Sequence, residues 1–127
     1  MARLLIVDDQ STDIQNAAQV ARSAGFDEID ARQSVTEAEE LLKRGTRSEI
    51  PLPDAILLDL NLGYESGFEL VRFYRRNGLW RIPLVVWSVR EEERKLCELF
   101  RLRAFVCKTD GEDALREVLA GLMPAAA

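Results

Sequence analysis

No histidine occurs in the 127 residues. That absence removes the side chain most often used as a general base near neutral pH, and with it the usual phosphocarrier. Cysteine is scarce, with only Cys97 and Cys107. In a chain without an export signal both read as reduced thiols in or near the core, because disulfides are rare in reducing compartments. Long apolar runs are missing, and none approaches the roughly 20 residues that a membrane-spanning helix needs. Met1-Ala2-Arg3 leads straight into a strand and leaves no room for a signal peptide, so a cytoplasmic protein without membrane attachment is expected. Basic excess is absent as well. A net charge of −5 argues against nucleic acid as a partner held by bulk electrostatics.

What is present is the composition of an ordinary soluble globule, 47% hydrophobic and 31% charged, rather than that of a disordered chain. The length fits one domain that buries a core without disulfide or metal staples. The expected organisation is a single domain over residues 1–123 with a short tail at 124–127.

Apolar runs mark the strands. Leu4-Leu5-Ile6-Val7 comes first, Ile29 to Ala31 is a weak second, and Ala55-Ile56-Leu57-Leu58 is the third. Leu84-Val85-Val86-Trp87, after Pro83, is the fourth, and Ala104-Phe105-Val106 the fifth. Between them the period becomes helical. Ile14, Ala17, Ala18, Ala21 and Ala24 share a face before Gly25 stops the helix. Ser34-Val35-Thr36-Glu37 reads as a capping box for a helix carrying Ala38, Leu41 and Leu42 inward, and Ser66-Gly67-Phe68-Glu69 reads as another. Arg90 to Arg103 predicts a charged helix, and Thr109-Asp110-Gly111-Glu112 is expected to cap a last one. Five strands alternating with five helices imply an α/β fold, a doubly wound parallel sheet of order 2-1-3-4-5.

Polar groups stand at four of the five strand ends. Asp8 and Asp9 follow the first strand, Asp59 the third, Ser88 the fourth and Lys108 the fifth. A parallel sheet brings these ends to one edge, where open α/β sheets place their ligands. Two carboxylates about 4 Å apart repel by roughly 4 kcal/mol at an effective dielectric near 20. Three carboxylates therefore need counter-charge, and Lys108 alone is too little. A hard divalent cation with oxygen ligands completes the balance, with Mg²⁺ the natural candidate. Such a site suits phosphoryl transfer to the Asp59 carboxylate, with Lys108 and Ser88 stabilising the transferring oxygens.

These residues resemble the receiver domain of response regulators in two-component signalling. Asp8-Asp9, Asp59 with Gly67 eight residues on, Ser88 and Lys108 fall in the family's order, and the resemblance spans essentially the whole chain. It implies a flavodoxin-like receiver with Asp59 as phosphoacceptor. Asp9 would bind Mg²⁺ directly, Asp8 mainly through metal-bound water, and the backbone carbonyl of Asn61 would join Asp59 in the metal shell. Ser88 would be the switch hydroxyl, Lys108 its partner at the phosphoryl group, and Phe105 the aromatic switch position. Taken alone, Ser88 also reads as a helix cap, Phe105 and Trp87 as core aromatics, and Glu91-Glu92-Glu93-Arg94-Lys95 as a solvated helix face. Departures from the family pattern are Gly63 and Thr109, each in place of a common proline, and Val89, where a small residue usually stands. The proline that Thr109 replaces normally follows a cis peptide. A cis bond before a residue other than proline costs about 3–4 kcal/mol. Arg90 is expected over the pocket mouth.

The resulting expectation is a single-domain response regulator. A histidine kinase or phosphotransfer partner would phosphorylate it on Asp59, and it would signal through contacts of its fourth helix, fifth strand and fifth helix. It would catalyse its own Mg²⁺-dependent phosphorylation and dephosphorylation without being a conventional turnover enzyme. The alternative is a pseudo-receiver, a binding module acting without phosphorylation. A haloacid-dehalogenase-type phosphatase wants a nucleophile and an acid two residues apart after the first strand, where this chain has adjacent Asp8-Asp9. A flavin carrier wants a Ser/Thr/Gly phosphate loop there, against Asp8-Asp9-Gln10-Ser11 here.

Overall fold

Short apolar strands that must be buried on both faces need helices on either side, and the computed structural model of the protein, which describes residues 1–102 and 104–124, arranges them so. Strand β1 (Arg3–Val7) is followed by α1 (Ser11–Ala24), β2 (Glu28–Arg32), α2 (Val35–Thr46) and β3 (Ala55–Leu58). Then come α3 (Phe68–Arg76), β4 (Leu84–Ser88), α4 (Glu93–Leu99), β5 (Ala104–Cys107) and α5 (Glu112–Ala120). The five strands form one sheet in the expected order 2-1-3-4-5, and every pairing in it is parallel.

The alternation along each strand divides the core in two. Leu5, Val7, Ile56, Leu58, Leu84 and Val86 point to the face covered by α2, α3 and Cys97 of α4. Leu4, Ile6, Ala55, Leu57, Val85 and Trp87 point to the face covered by α1 and α5, through Ala17, Val20, Ala21, Leu115 and Leu119. Both cysteines are buried and free.

Several local expectations change. Asn61–Leu62 and Glu65–Ser66 form a small antiparallel ribbon directly beyond β3. Its turn carries Gly63 at φ +66, a conformation closed to the proline that the family pattern would place there. The N-cap of α3 is Gly67 rather than Ser66, whose hydroxyl accepts the Phe68 N–H instead of Glu69's. Ser34 does cap α2, accepting from Glu37 N at 3.1 Å. Helix α4 is much shorter than the predicted 90–103 helix. Arg90 to Glu92 are spent on turns, and Arg101 at φ +55 closes the segment, while Arg103 lies outside the described residues. Helix α5 starts after Gly111 at φ +93, so Thr109 caps nothing. Lys108–Asp110 instead forms a single 3₁₀ turn, and no cis peptide occurs among the described residues. The alanines of the expected tail, residues 125–127, lie outside the described residues.

Candidate functional site

Backbone ladders carry the acidic residues to one edge. Val7 pairs with Leu58, and the ladder continues one step as Asp59 N donates to Val7 O at 2.9 Å and Asp8 N to Arg32 O at 3.1 Å. Asp8 and Asp59 therefore emerge side by side from the ends of β1 and β3. Ser88 pairs with Cys107, which sets Lys108 one residue past the same edge. Asp8, Asp59 and Ser88 are buried, although the loops beyond them are open.

The two buried carboxylates are held alike. Oδ1 of Asp8 accepts the Gln10 N–H and Oδ1 of Asp59 accepts the Asn61 N–H, each at 2.9 Å. This local turn, in which a side chain binds the backbone two residues on, leaves both Oδ2 atoms facing inward. The Lys108 ammonium lies between them, 2.8 Å from Asp8 Oδ2 and 2.9 Å from Asp59 Oδ2. Its third hydrogen bond, 2.7 Å, goes to Asp13 in the first turn of α1. The ammonium also sits 4.8 Å from the centroid of the Trp87 ring. Burial works against the charged amine, yet the bonds to Asp13, Asp8 and Asp59 outweigh it and raise the Lys108 pKa above its ordinary value. Burial also raises the Asp8 carboxyl, only partly offset by Lys108 and the Gln10 N–H, with Asp59 adding to the rise.

Asp9 completes the cluster from a half-buried position. Carboxylate oxygens of Asp8, Asp9 and Asp59 all lie within 4.8 Å of one another. With Asp13 that makes four carboxylates around a single ammonium. Hard oxygen donors in excess over local positive charge are the donor set that a divalent cation of the Mg²⁺ or Mn²⁺ type takes. The neighbouring loops are shaped to this cluster. A Cβ at Gly67 would stand 2.6 Å from the Asp59 carbonyl oxygen and 2.8 Å from Leu60 Cα, so only glycine fits there. A Cβ at Gly63 would meet Asp9 Oδ2 at 3.5 Å.

Ser88 is joined to the cluster through Asn61, whose side-chain amide donates to Ser88 Oγ and to Glu93 Oε1, both at 3.2 Å. Ser88 Oγ donates in turn to the Glu93 carboxylate. Ser88 accepts the Arg90 N–H at 3.3 Å but is not the cap of α4, whose cap position is Glu92. The Arg90 side chain is exposed, as is Val89. Phe105 is buried with the Arg94 guanidinium 4.8 Å from its ring centroid, and Arg94 also donates to Phe105 O at 3.4 Å.

The structure thus brings Asp8, Asp9, Asp59, Asn61, Ser88 and Lys108 together. It also adds Asp13 and Glu93, which sequence reasoning missed. Asp13 lies in the first turn of α1, while Asp9 precedes that helix. Glu93 lies within the charged run Glu91 to Lys95, where its residue type does not set it apart. That run is not uniformly solvated, since Glu93 and Arg94 are half-buried.

Comparison with known proteins agrees with this geometry. Response regulator Rcp1 of Synechocystis sp. (strain ATCC 27184 / PCC 6803 / Kazusa) is 29% identical over 102 residues, covering 78% of this chain and 69% of its own length. The crystal structure of the Mn(2+)-bound form of response regulator Rcp1 superposes with a TM-score of 0.78 at 24% identity, covering 98% of this chain and 100% of that one. That of the phosphorylated cyanobacterial phytochrome response regulator RcpA gives 0.77 at 25% identity, covering 95% and 90%. Residues 4–120, from the second residue of β1 to the last of α5, match the response regulator receiver domain. The chain belongs to that family, the receivers of two-component signalling.

Proposed function

We propose that Asp59 takes a phosphoryl group from a histidine-kinase or phosphotransfer partner, with Mg²⁺ held by Asp8, Asp9, Asp59 and the Asn61 carbonyl. The observation that carries this reading is the carboxylate cluster, whose two buried members share the Lys108 ammonium at 2.8 and 2.9 Å. The relatives support it, since one is described as Mn(2+)-bound and another as phosphorylated. The cation, when bound, supplies positive charge to the developing oxyanion. This chain's own residues do the rest. A carboxylate oxygen of Asp59 attacks phosphorus, the bond to the donor histidine nitrogen breaks, and the departing imidazole keeps that electron pair. Lys108 is placed to pair with the transferred group, having already paired with Asp59.

Output leaves by protein contact through α4, β5 and α5. Leu96 and Leu99 on α4 support that face, being exposed apolar side chains at 41% and 78% relative accessibility. The test is labelling by phosphoramidate. Label should require Mg²⁺, map to Asp59 and vanish in Asp59→Asn. Label that persists in Asp59→Asn overturns the assignment. Partner binding that is equal in wild type and Asp59→Ala, with no Mg²⁺ affinity, would identify a pseudo-receiver instead.

A further inference from the structure

The hydroxyl of Ser88 has one proton to give and two lone pairs to offer. All three are in use. The proton goes to the Glu93 carboxylate, while the Asn61 amide and the Arg90 N–H are accepted at 3.2 and 3.3 Å. Ser88 has no exposed surface, so solvent cannot substitute for any of these partners. A hydroxyl so committed cannot also donate to a phosphoryl oxygen on Asp59.

We propose that Glu93 is a positioning residue that withholds the Ser88 proton until a phosphoryl group on Asp59 outcompetes it. This rests on the reading of Asp59 as acceptor given above. Both rivals are anionic, so both make charge-assisted hydrogen bonds of comparable strength. The phosphoryl group carries roughly 1.5–2 negative charges and three strong acceptor oxygens where the Asp59 carboxylate carried about one charge. The Asn61 amide, which bridges Ser88 and Glu93, belongs to the residue whose N–H binds Asp59 Oδ1. Phosphorylation therefore acts on Glu93 by competing for its donor.

Release of Glu93 reaches further because of where it sits. It is the first residue of α4, and the next residue, Arg94, stacks on Phe105 and donates to its carbonyl. One turn of one short helix thus holds both Ser88 and Phe105. When Glu93 lets go of the serine, the clamp on the aromatic ring moves with it. The acidic start of α4 is a latch tying the pocket to the exposed Leu96 and Leu99.

The test is the affinity for beryllium fluoride, a tetrahedral phosphoryl analogue, in the presence of Mg²⁺. A Trp80→Phe background leaves Trp87, beside Lys108, as the sole reporting indole. Glu93→Ala should tighten binding roughly tenfold, the scale of one competing charge-assisted bond. Glu93→Gln, which keeps a neutral acceptor for Ser88, should tighten it less. In Ser88→Ala the further change Glu93→Ala should have no effect, as a double-mutant cycle requires if the two act as one unit. Equal affinity in wild type and Glu93→Ala, or a gain that survives in Ser88→Ala, overturns the latch and leaves the acceptor site standing. Failure of the parent protein to bind the analogue at all, with Mg²⁺ present, overturns the acceptor reading and the latch together.

Discussion

Asp9 is the member of the carboxylate cluster that draws nothing from Lys108. Asp8, Asp13 and Asp59 each accept from its ammonium, whereas Asp9 contributes negative charge within 4.8 Å of Asp8 and Asp59. Without a cation it only repels. Asp9→Asn should therefore stabilise the metal-free protein by about 1–2 kcal/mol, the scale of one partly solvated like-charge contact. Urea denaturation with EDTA measures this, and the advantage should shrink when Mg²⁺ is added. A second residue gives a pH test away from the pocket. Burial, with Glu93 adding to it, pushes the Cys97 thiol from 9.0 up to about 11. A group whose proton is held more tightly when folded contributes stability that is complete below the unfolded value and is lost as pH climbs through the folded one. Between pH 9 and about 11 the protein should lose about 2–3 kcal/mol relative to Cys97→Ala, read from paired denaturation curves.

At the scale of elements, the close approach of the β3–α3 loop to its own strand is the tightest constraint. Gly67→Ala would drive a Cβ into the Asp59 carbonyl and Leu60 Cα, both backbone, with no flexible side chain to yield. The expected cost is about 1–3 kcal/mol in urea denaturation, together with weaker Mg²⁺ binding as Asp59 is displaced. Legibility in the sequence follows the same elements. Four of the strands were readable because each holds a short unbroken apolar run, unlike the half-buried β2 with Asp30 at its middle, and Asp8, Asp59, Ser88 and Lys108 because they follow or end such runs. The ribbon at Asn61–Leu62 and Glu65–Ser66 was not, since two-residue strands carry no period and depend on the Gly63 turn. Helix α4 was overdrawn because Arg90 to Glu92 continue its charged pattern while their backbone makes turns instead. Asp13 and Glu93 escaped for a related reason. Carboxylates in a helix's first turn are ordinary complements to its dipole, and nothing in the chain marks the two that reach inward.

For the molecule as a whole, the division of labour between the two faces of the sheet is what makes the pocket possible. Ser88 and Phe105 report to the face carrying α4, through Glu93 and Arg94, and Lys108 reports to the opposite face, through Asp13 of α1 and Trp87. The acidic cluster sits between, at the edge where both layers end. A charge change there is felt by helices that do not touch each other's cores. The claim on which this account rests is that carboxylates from separate strand ends form one cation site around Asp59. Calorimetric titration with Mg²⁺ measures it most directly. One ion per chain is expected, bound at least tenfold more weakly by Asp9→Asn and by Asp59→Asn. Unchanged Mg²⁺ binding in those two variants would contradict it.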